Sequence, residues 1–569
     1  MKHFNISAWR RALLSPSVGA LALFLWMVAL VMLPNLMLAL TGEYGPWSVA
    51  VGITLPLGLY LLTTLLSRRV VLLVAMLMPL LALGVVQVVL LYLYGNSIIA
   101  VDMFTNMMTT SPSESRELLS GLMPLIVAIV AACMPLLLAL VRRIGRGEYL
   151  LSERARRALA ISGALLTIVG VQLLYPAEQM ADCKVLRCEI FPMSALHNLR
   201  LALENREAVR GYESLSSGFD FEAQRDSLAP SREVYVYVVG ESSRAANWSL
   251  YGYNRVTNPC LSRREGVALF KNVITQSNTT HKSVPLMLSS ASAENYDQLF
   301  RRKGLAALFG DVGFRTCFIS AQSPQGAMVD NFARECDQVI YLDSPCYDGE
   351  LLPIMRQVVE ADERDLLVIL HSYGSHFCYN MRYPPQFARF QPEERVDVDA
   401  DNLFSLRNAY DNSILYTDYV LDSVIGYLAS LECCAAMLYC SDHGEGLFDD
   451  ERGGFLHASP KVSYYQLHIP AFVWFSEGYR ELRPEKVANA ERNRWSAATT
   501  RAMFHTLADM ASIRSPYVEP RLSLLGEEYD SHQPRLYLND RNEAVALDER
   551  IGVSELDRRE FLLHGINLR

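Results

Sequence analysis

The chain has 569 residues, of which 51% are hydrophobic, with 52 Lys and Arg against 61 Asp and Glu and a formal net charge of −9. That length leaves room for several domains, and the acidic balance argues against a nucleic-acid partner. The apolar residues are unevenly spread, with nearly all long apolar runs falling before residue 176.

Five such runs follow in chain order: "VGALALFLWMVALVMLPNLMLAL" (18–40), "WSVAVGITLPLGLYLLTTLL" (47–66), "VVLLVAMLMPLLALGVVQVVLLYLYG" (70–95), "GLMPLIVAIVAACMPLLLALV" (121–141) and "ALAISGALLTIVGVQLLY" (158–175). Each reaches or nears the ~20 residues that cross a bilayer as a helix. Prolines such as Pro34, Pro56, Pro79 and Pro135 are tolerated in such helices. The first run is too long for a secretory signal, and no small-residue cleavage pattern follows it. Orientation follows from the basic residues. Lys2, Arg10 and Arg11 precede the first run, Arg68 and Arg69 follow the second, and Arg142, Arg143, Arg146, Arg154, Arg156 and Arg157 lie between the fourth and fifth. The other two loops hold a single Arg. The N-terminus is therefore expected in the cytoplasm, and five spans place everything after about residue 176 outside. Ten of the eleven cysteines follow the last run, where disulfides form. The close pairs Cys183/Cys188 and Cys336/Cys346 are expected to close small loops.

Residues 177–230 read as a connector. Its stretch "FPMSALHNLRLALENREAVRGY" has apolar residues at helical spacing, which suits a helix on the membrane surface or a solvated linker helix. From 233 onward short apolar strands alternate with helices: "VYVYVVG" (234–240), "TCFIS" (316–320), "DLLVILH" (365–371), "AAMLYCS" (435–441) and "IPAFVWF" (469–475). Continuous apolar strands of this kind belong in a mostly parallel sheet covered by helices on both faces.

Two of these strands end in similar chemistry. "VYVYVVGESSR" delivers Glu241 directly after a strand, and "AAMLYCSDHGEG" delivers Asp442 and His443 directly after another. Ligands of open α/β sheets bind outside the carboxyl ends of the strands, so the two ends are candidates for one shared site. A mixed oxygen and nitrogen set suits zinc better than calcium or magnesium, and three protein ligands leave a position for a nucleophile. The local alternative for "SDHGE" is a turn. In "QSNTTHKSVPLMLSS" (276–290), Pro285 is acceptable in a first helical turn, and a Thr near that helix start either caps it or binds the metal through its hydroxyl. Position alone does not choose between Thr279 and Thr280.

The stretches "VVGESSRAANWSLYGYNRVTNP", "NTTHKSVPLMLSS", "HSYGSHFCYNMRYP", "NAYDNSILYTDYVLD" and "SDHGEGLFDDERGGFLHASP", in this order after five apolar runs, resemble the lipid A phosphoethanolamine transferases. The resemblance covers essentially the whole chain. It implies a five-span α-helical membrane domain (1–176), a connector (177–230) and a periplasmic α/β catalytic domain (231–569) of the alkaline phosphatase/sulfatase-like fold. It implies Zn2+ held by Glu241, Asp442, His443 and Thr280, with Thr280 as nucleophile. His376 of "GSH" and His457 of "FLH" match histidines that face the substrate or bind additional zinc. The loop "VDMFTNMMTTSPSE" resembles the family's substrate loop and would place Asn106, Thr110 and Glu114 near the donor head group; the alternative is a polar loop between spans. Two departures stand out. Many members bracket the nucleophile with a cysteine pair where this chain has Gln276 and Leu286, and a pocket lysine of some members is replaced near Gln325.

The expected reaction moves phosphoethanolamine from phosphatidylethanolamine to a lipid A or lipopolysaccharide-core acceptor through a phosphoethanolamine–threonine intermediate, at the bacterial inner membrane, with a monomer expected. The alternatives on the same fold are a phosphoglycerol transferase, the harder rival, and another phosphodiesterase. A sulfatase is disfavoured because "TTHKSVP" lacks its nucleophile context. A catalytically silent membrane scaffold is disfavoured by the presence of all four metal-site residues.

Overall fold

A computed structural model of the chain describes residues 16–40, 44–94, 98–109, 127, 150–181, 184–225, 231–394, 402–450, 454–458, 462–547 and 554–566. The chain divides into two compact units, one of Met1–Phe104 and Ser113–Ala202, the other of Thr105–Pro112 and Leu203–Arg569.

In the first unit the apolar runs become long helices, the structure that satisfies every backbone polar group within a single segment. These are α1 (Pro16–Leu40), α2 (Pro46–Leu62), α3 (Val70–Tyr94) and, after the short α4 (Val101–Thr109), α5 (Glu153–Met180). Ser152 caps α5 by accepting from Ala155 N at 3.2 Å. Small residues bring α2 and α5 together, since a Cβ on Gly163 would stand 2.9 Å from Gly58 O. Among the described residues four helices are long and apolar enough to cross a membrane. The run expected to span at 121–141 lies outside the described residues apart from Val127, so five spans are not established. The connector pattern folds as α6 (Met193–Arg210).

The second unit is built on a seven-stranded sheet. Its strands are β1 (Glu233–Gly240), β2 (Val267–Phe270), β3 (Arg315–Ser320), β4 (Gln338–Tyr341), β5 (Leu366–His371), β6 (Cys434–Ser441) and β7 (Ala471–Phe475). The order is β2-β7-β6-β1-β5-β3-β4. Strands β6, β1, β5, β3 and β4 run parallel, whereas β7 is antiparallel to both of its neighbours, so the sheet is mixed. The reversed strand is absent from the sequence expectation because "AFVWF" is buried at every position, and a uniformly apolar run carries no direction.

Burial explains the strands. Every residue of β1, β5 and β6 is buried, as a sheet packed on both faces requires. Tyr235, Tyr237 and Val239 of β1 share one core with Val284, Leu286 and Met287 of α7 (Thr280–Met287). The long α8 (Leu403–Ala429) and α9 (Arg501–Met510) also pack against the sheet, and Met503, Phe504 and Leu507 of α9 join that core. Each such side chain contributes ~1.5–3 kcal/mol by leaving water. The disulfide expected between Cys336 and Cys346 does not form. Cys336 is drawn into the hydrophobic core instead, where burial pushes its thiol well up, and Cys346 Sγ donates to Ala321 O at 3.4 Å. Cys183, the expected partner of Cys188, lies outside the described residues.

Candidate active site

The site begins with the register of two strands. In the parallel pair β1 and β6, Gly240 stands opposite Ser441, so Glu241 and Asp442 leave the sheet side by side. Ser242 takes a left-handed backbone (φ 55°), and its N–H donates to Asp442 Oδ1 at 3.1 Å while its hydroxyl donates to Glu241 Oε1 at 2.7 Å. Asp442 O accepts from Thr275 Oγ1 at 2.5 Å and from Ser283 Oγ at 2.6 Å, which ties α7 to the end of β6. Gly444 follows His443 because a side chain would not fit: its Cβ would stand 2.1 Å from Tyr465 O.

Thr280 opens α7. Its Oγ1 lies 3.1 Å from His443 Nε2 and 3.2 and 3.3 Å from the two oxygens of Glu241. Thr279 occupies the cap position, yet its side chain makes no capping bond and lies 3.2 Å from Ser277 Oγ. Of the two threonines, Thr280 is the one directed at the carboxylate and imidazole.

Glu241, Asp442 and His443 are all buried, with their ligand atoms within 4.8 Å of one another. Asp442 Oδ2 is 3.3 Å from His443 Nε2 but has no hydrogen-bond partner among the described residues. A buried carboxylate oxygen without a donor is costly. The proton equilibria carry the same message. Burial, and then the neighbouring Glu241, push Asp442 well up. Burial also works against ionised Glu241, but the His443, His376 and His457 rings and the Ser242 hydroxyl bring it down to about 2. Burial, reinforced by His457, depresses His443 to about 3. Two adjacent buried carboxylates beside a neutral imidazole fit a divalent cation, and two oxygens, one nitrogen and a nearby hydroxyl suit zinc.

Around this cluster stand residues of mixed legibility. The His457 ring lies 4.2 Å from that of His443, tilted to it, and the His376 ring meets His457 edge-on at 6.0 Å. The Nδ1 of His376 lies 2.6 Å from Phe377 O, and that of His457 lies 3.1 Å from Glu445 Oε2. Burial works to lower His457, but Glu445 overcomes it and the ring is raised. Glu445, which also accepts from Tyr379 OH at 3.2 Å, is absent from the sequence reading although it stands two residues after His443 in "DHGE". Gln322 was equally unforeseen. It donates to Glu241 Oε2 at 3.2 Å from a loop after β3 that carries no motif. Arg244 fixes the far side, bonded to Asp449 at 2.6 and 2.9 Å and to Glu445 O at 2.9 Å.

The loop that carries Thr280 is braced from a segment far along the chain. A hairpin of β8 (Leu536–Leu538) and β9 (Ala544–Ala546) sets Leu538 N on Gln276 O at 2.7 Å and Tyr537 OH on Asn278 Oδ1 at 2.6 Å. Lys282 Nζ donates to Asn539 O at 3.0 Å. Gln276 itself accepts from Ala293 N at 2.9 Å, and Leu286 is fully buried. Asn106 is half-buried on α4, whereas Thr110 and Glu114 lie outside the described residues.

Comparison with known proteins matches both parts. Residues 233–513 fit the family model described as Sulfatase, and residues 55–201 the one described as Phosphoethanolamine transferase EptA/EptB. The chain is 28% identical over 408 residues to phosphoethanolamine transferase EptA of Salmonella typhimurium, covering 67% of this chain and 72% of that one. It is 29% identical over 442 residues to phosphatidylethanolamine transferase Mcr-1 of Escherichia coli, covering 73% and 80%. In fold it resembles the integral membrane lipooligosaccharide phosphoethanolamine transferase A of Neisseria meningitidis, with a TM-score of 0.69 and 22% identity over 88% of this chain and 98% of that one. With one model on the helical part, another on the α/β unit and relatives of the same description across both, the chain belongs to the phosphoethanolamine transferase family of the sulfatase superfamily.

Proposed function

We propose that the chain is an inner-membrane enzyme with its α/β unit in the periplasm. It transfers phosphoethanolamine from phosphatidylethanolamine to a lipid A or lipopolysaccharide-core acceptor. The observation that carries this reading is the Thr280 hydroxyl at the start of α7, held 3.1 Å from His443 Nε2 and 3.2 Å from Glu241 Oε2. The names of the relatives supply the transferred group and the donor.

Glu241, Asp442, His443 and Thr280 would hold zinc, which when bound lowers the energy of the threonine alkoxide and of the phosphoryl oxygens beside it. Thr280 Oγ1, its proton released to solvent, forms the new bond to phosphorus as the bond to the diacylglycerol oxygen breaks. The departing oxygen takes a proton from His376 or His457. Both rings direct Nδ1 at an oxygen, Phe377 O or Glu445 Oε2, which leaves Nε2 as the atom for proton transfer. An acceptor oxygen then gives up its proton to the same imidazole and displaces Thr280 from phosphorus. Spans in the membrane confine the site to the surface where both lipids lie. On lipid A the added ammonium offsets phosphate charge and weakens the binding of cationic peptides.

The test is peptide mass spectrometry of the zinc-loaded protein after incubation with phosphatidylethanolamine. A phosphoethanolamine adduct on the Thr280 peptide, absent from Thr280→Ala, is the expected result. An adduct that persists in Thr280→Ala sinks the nucleophile, and a phosphoglycerol adduct from phosphatidylglycerol in its place moves the reading to the phosphoglycerol transferases.

A further inference from the structure

Beside Thr280 a small recess opens over the ends of β3, β4 and β5, walled by Phe318, Tyr341, Asp330 and His371. No Lys or Arg lines it among the described residues. His371, the last residue of β5, is only 5% exposed. Its Nδ1 lies 3.0 Å from Ser320 Oγ, and Ser320 gives its one proton to Gln322 O at 2.9 Å. With the Ser320 proton on Gln322 O, the ring donates from Nδ1 and carries its lone pair on Nε2. That Nε2 has no hydrogen-bond partner among the described residues, and burial lowers the affinity of the ring for a second proton. A buried acceptor with no donor is a standing cost that a ligand N–H removes.

The rest of the wall is chosen for positive charge. The Phe318 ring lies 6.2 Å from Tyr341 and 5.8 Å from His371, an aromatic surround of the kind that takes a cation. Asp330 supplies a carboxylate, fixed by Gln325 N at 2.9 Å, Gly326 N at 2.6 Å, Ala327 N at 3.2 Å and Tyr341 OH at 2.9 Å. The space admits one small polar group.

We propose that this recess receives the primary ammonium of the group carried by Thr280, with His371 Nε2 accepting one of its N–H bonds and Phe318 and Tyr341 flanking the cation. This assignment rests on the transfer reading above. It makes His371 a specificity residue for an amine that has N–H to give. Phosphatidylcholine, with a bulkier trimethylammonium and no N–H, fails on both counts.

The experiment compares the initial rate of adduct formation on Thr280 in the full-length, zinc-loaded protein from phosphatidylethanolamine and from phosphatidylcholine vesicles. Wild type should prefer phosphatidylethanolamine by about tenfold or more, the worth of one hydrogen bond to a charged group. His371→Phe should lower that ratio by about tenfold, leaving only the part set by the bulk of the trimethylammonium, and His371→Gln, whose amide oxygen accepts, should restore part of the loss. Should His371→Phe not fold, Tyr341→Leu reads the same ratio. An unchanged ratio in the folded variants overturns the recess while the transfer reading stands. A zinc-loaded wild type that forms no phosphoethanolamine adduct from any phospholipid overturns the transfer reading and this assignment with it.

Discussion

Gly374 sits where one methyl group should disturb the cluster of Glu241, Asp442 and His443 by pressing on Glu241. Its φ is +53°, and a Cβ there would stand 2.5 Å from Glu241 O and 3.0 Å from Glu241 N. The loop cannot back away at no cost. Tyr373 N and Gly374 N donate to the Asp348 carboxylate at 2.7 and 2.8 Å, and Ser375 N donates to Glu241 O at 2.9 Å. Gly374→Ala therefore carries about 1–2 kcal/mol for a left-handed alanine and about 1 kcal/mol for the hydrogen bond it strains. Together these are about 2–3 kcal/mol, which lowers the thermal midpoint of an α/β unit of this size by roughly 2–4 °C. Glu241 and His376 both shift with the loop, and misplacement on the order of 1 Å costs about 100-fold in rate. The assays are a thermal melt of the full-length protein and the rate of adduct formation on Thr280. A variant that melts with wild type and reacts within twofold of it would refute the claim that this contact sets the position of Glu241.

Three further outcomes are expected. Burial raises the Glu335 carboxyl from its ordinary 4.5 to about 7 despite the donors Tyr212 OH and Gly304 N, so the folded state holds that proton more tightly than the unfolded chain. The stability this contributes, about 3 kcal/mol, is complete below pH ~4.5 and is lost as pH rises through about 7; Glu335→Gln should flatten the fall in urea midpoint between pH 5 and 8, and an unaltered slope would contradict this. Chelation of zinc should lower the melting point, with about 2.7 kcal/mol at stake when the metal is at 100 times its Kd. Asp442→Asn should abolish that chelator response, and a full response in the variant would exclude Asp442 as a ligand. A peptide map without reductant should recover the Cys336 and Cys346 peptides unlinked, and a cross-linked species would reverse the assignment of both thiols.

What could be read beforehand tracks how local each cause is. The long helices of the first unit follow from composition over ~20 residues, and the strands from apolar runs buried on both faces. Glu241 and Asp442 were legible because each directly follows a strand, and the parallel register of β1 and β6 does the rest. Thr279 and Thr280 could not be separated by position, since the difference is which hydroxyl points at Glu241. Gln322 and the hairpin at 536–546 reach the site through tertiary packing that leaves no periodic signal. His371 read only as the last letter of "DLLVILH"; its bare nitrogen depends on where Ser320 sends its proton. The Cys336–Cys346 expectation failed because closeness in sequence says nothing of direction, and one thiol had been claimed by the core.

The brace from β8 imposes an order on biosynthesis. Leu538 N donates to Gln276 O and Asn539 O accepts from Lys282 Nζ, and these two residues emerge from the ribosome about 260 residues after Thr280. At 5–20 residues per second that is a delay of roughly 10–50 s. During this interval the Thr280 segment exists without these hydrogen bonds, so the two distant parts of the α/β unit meet only late in synthesis.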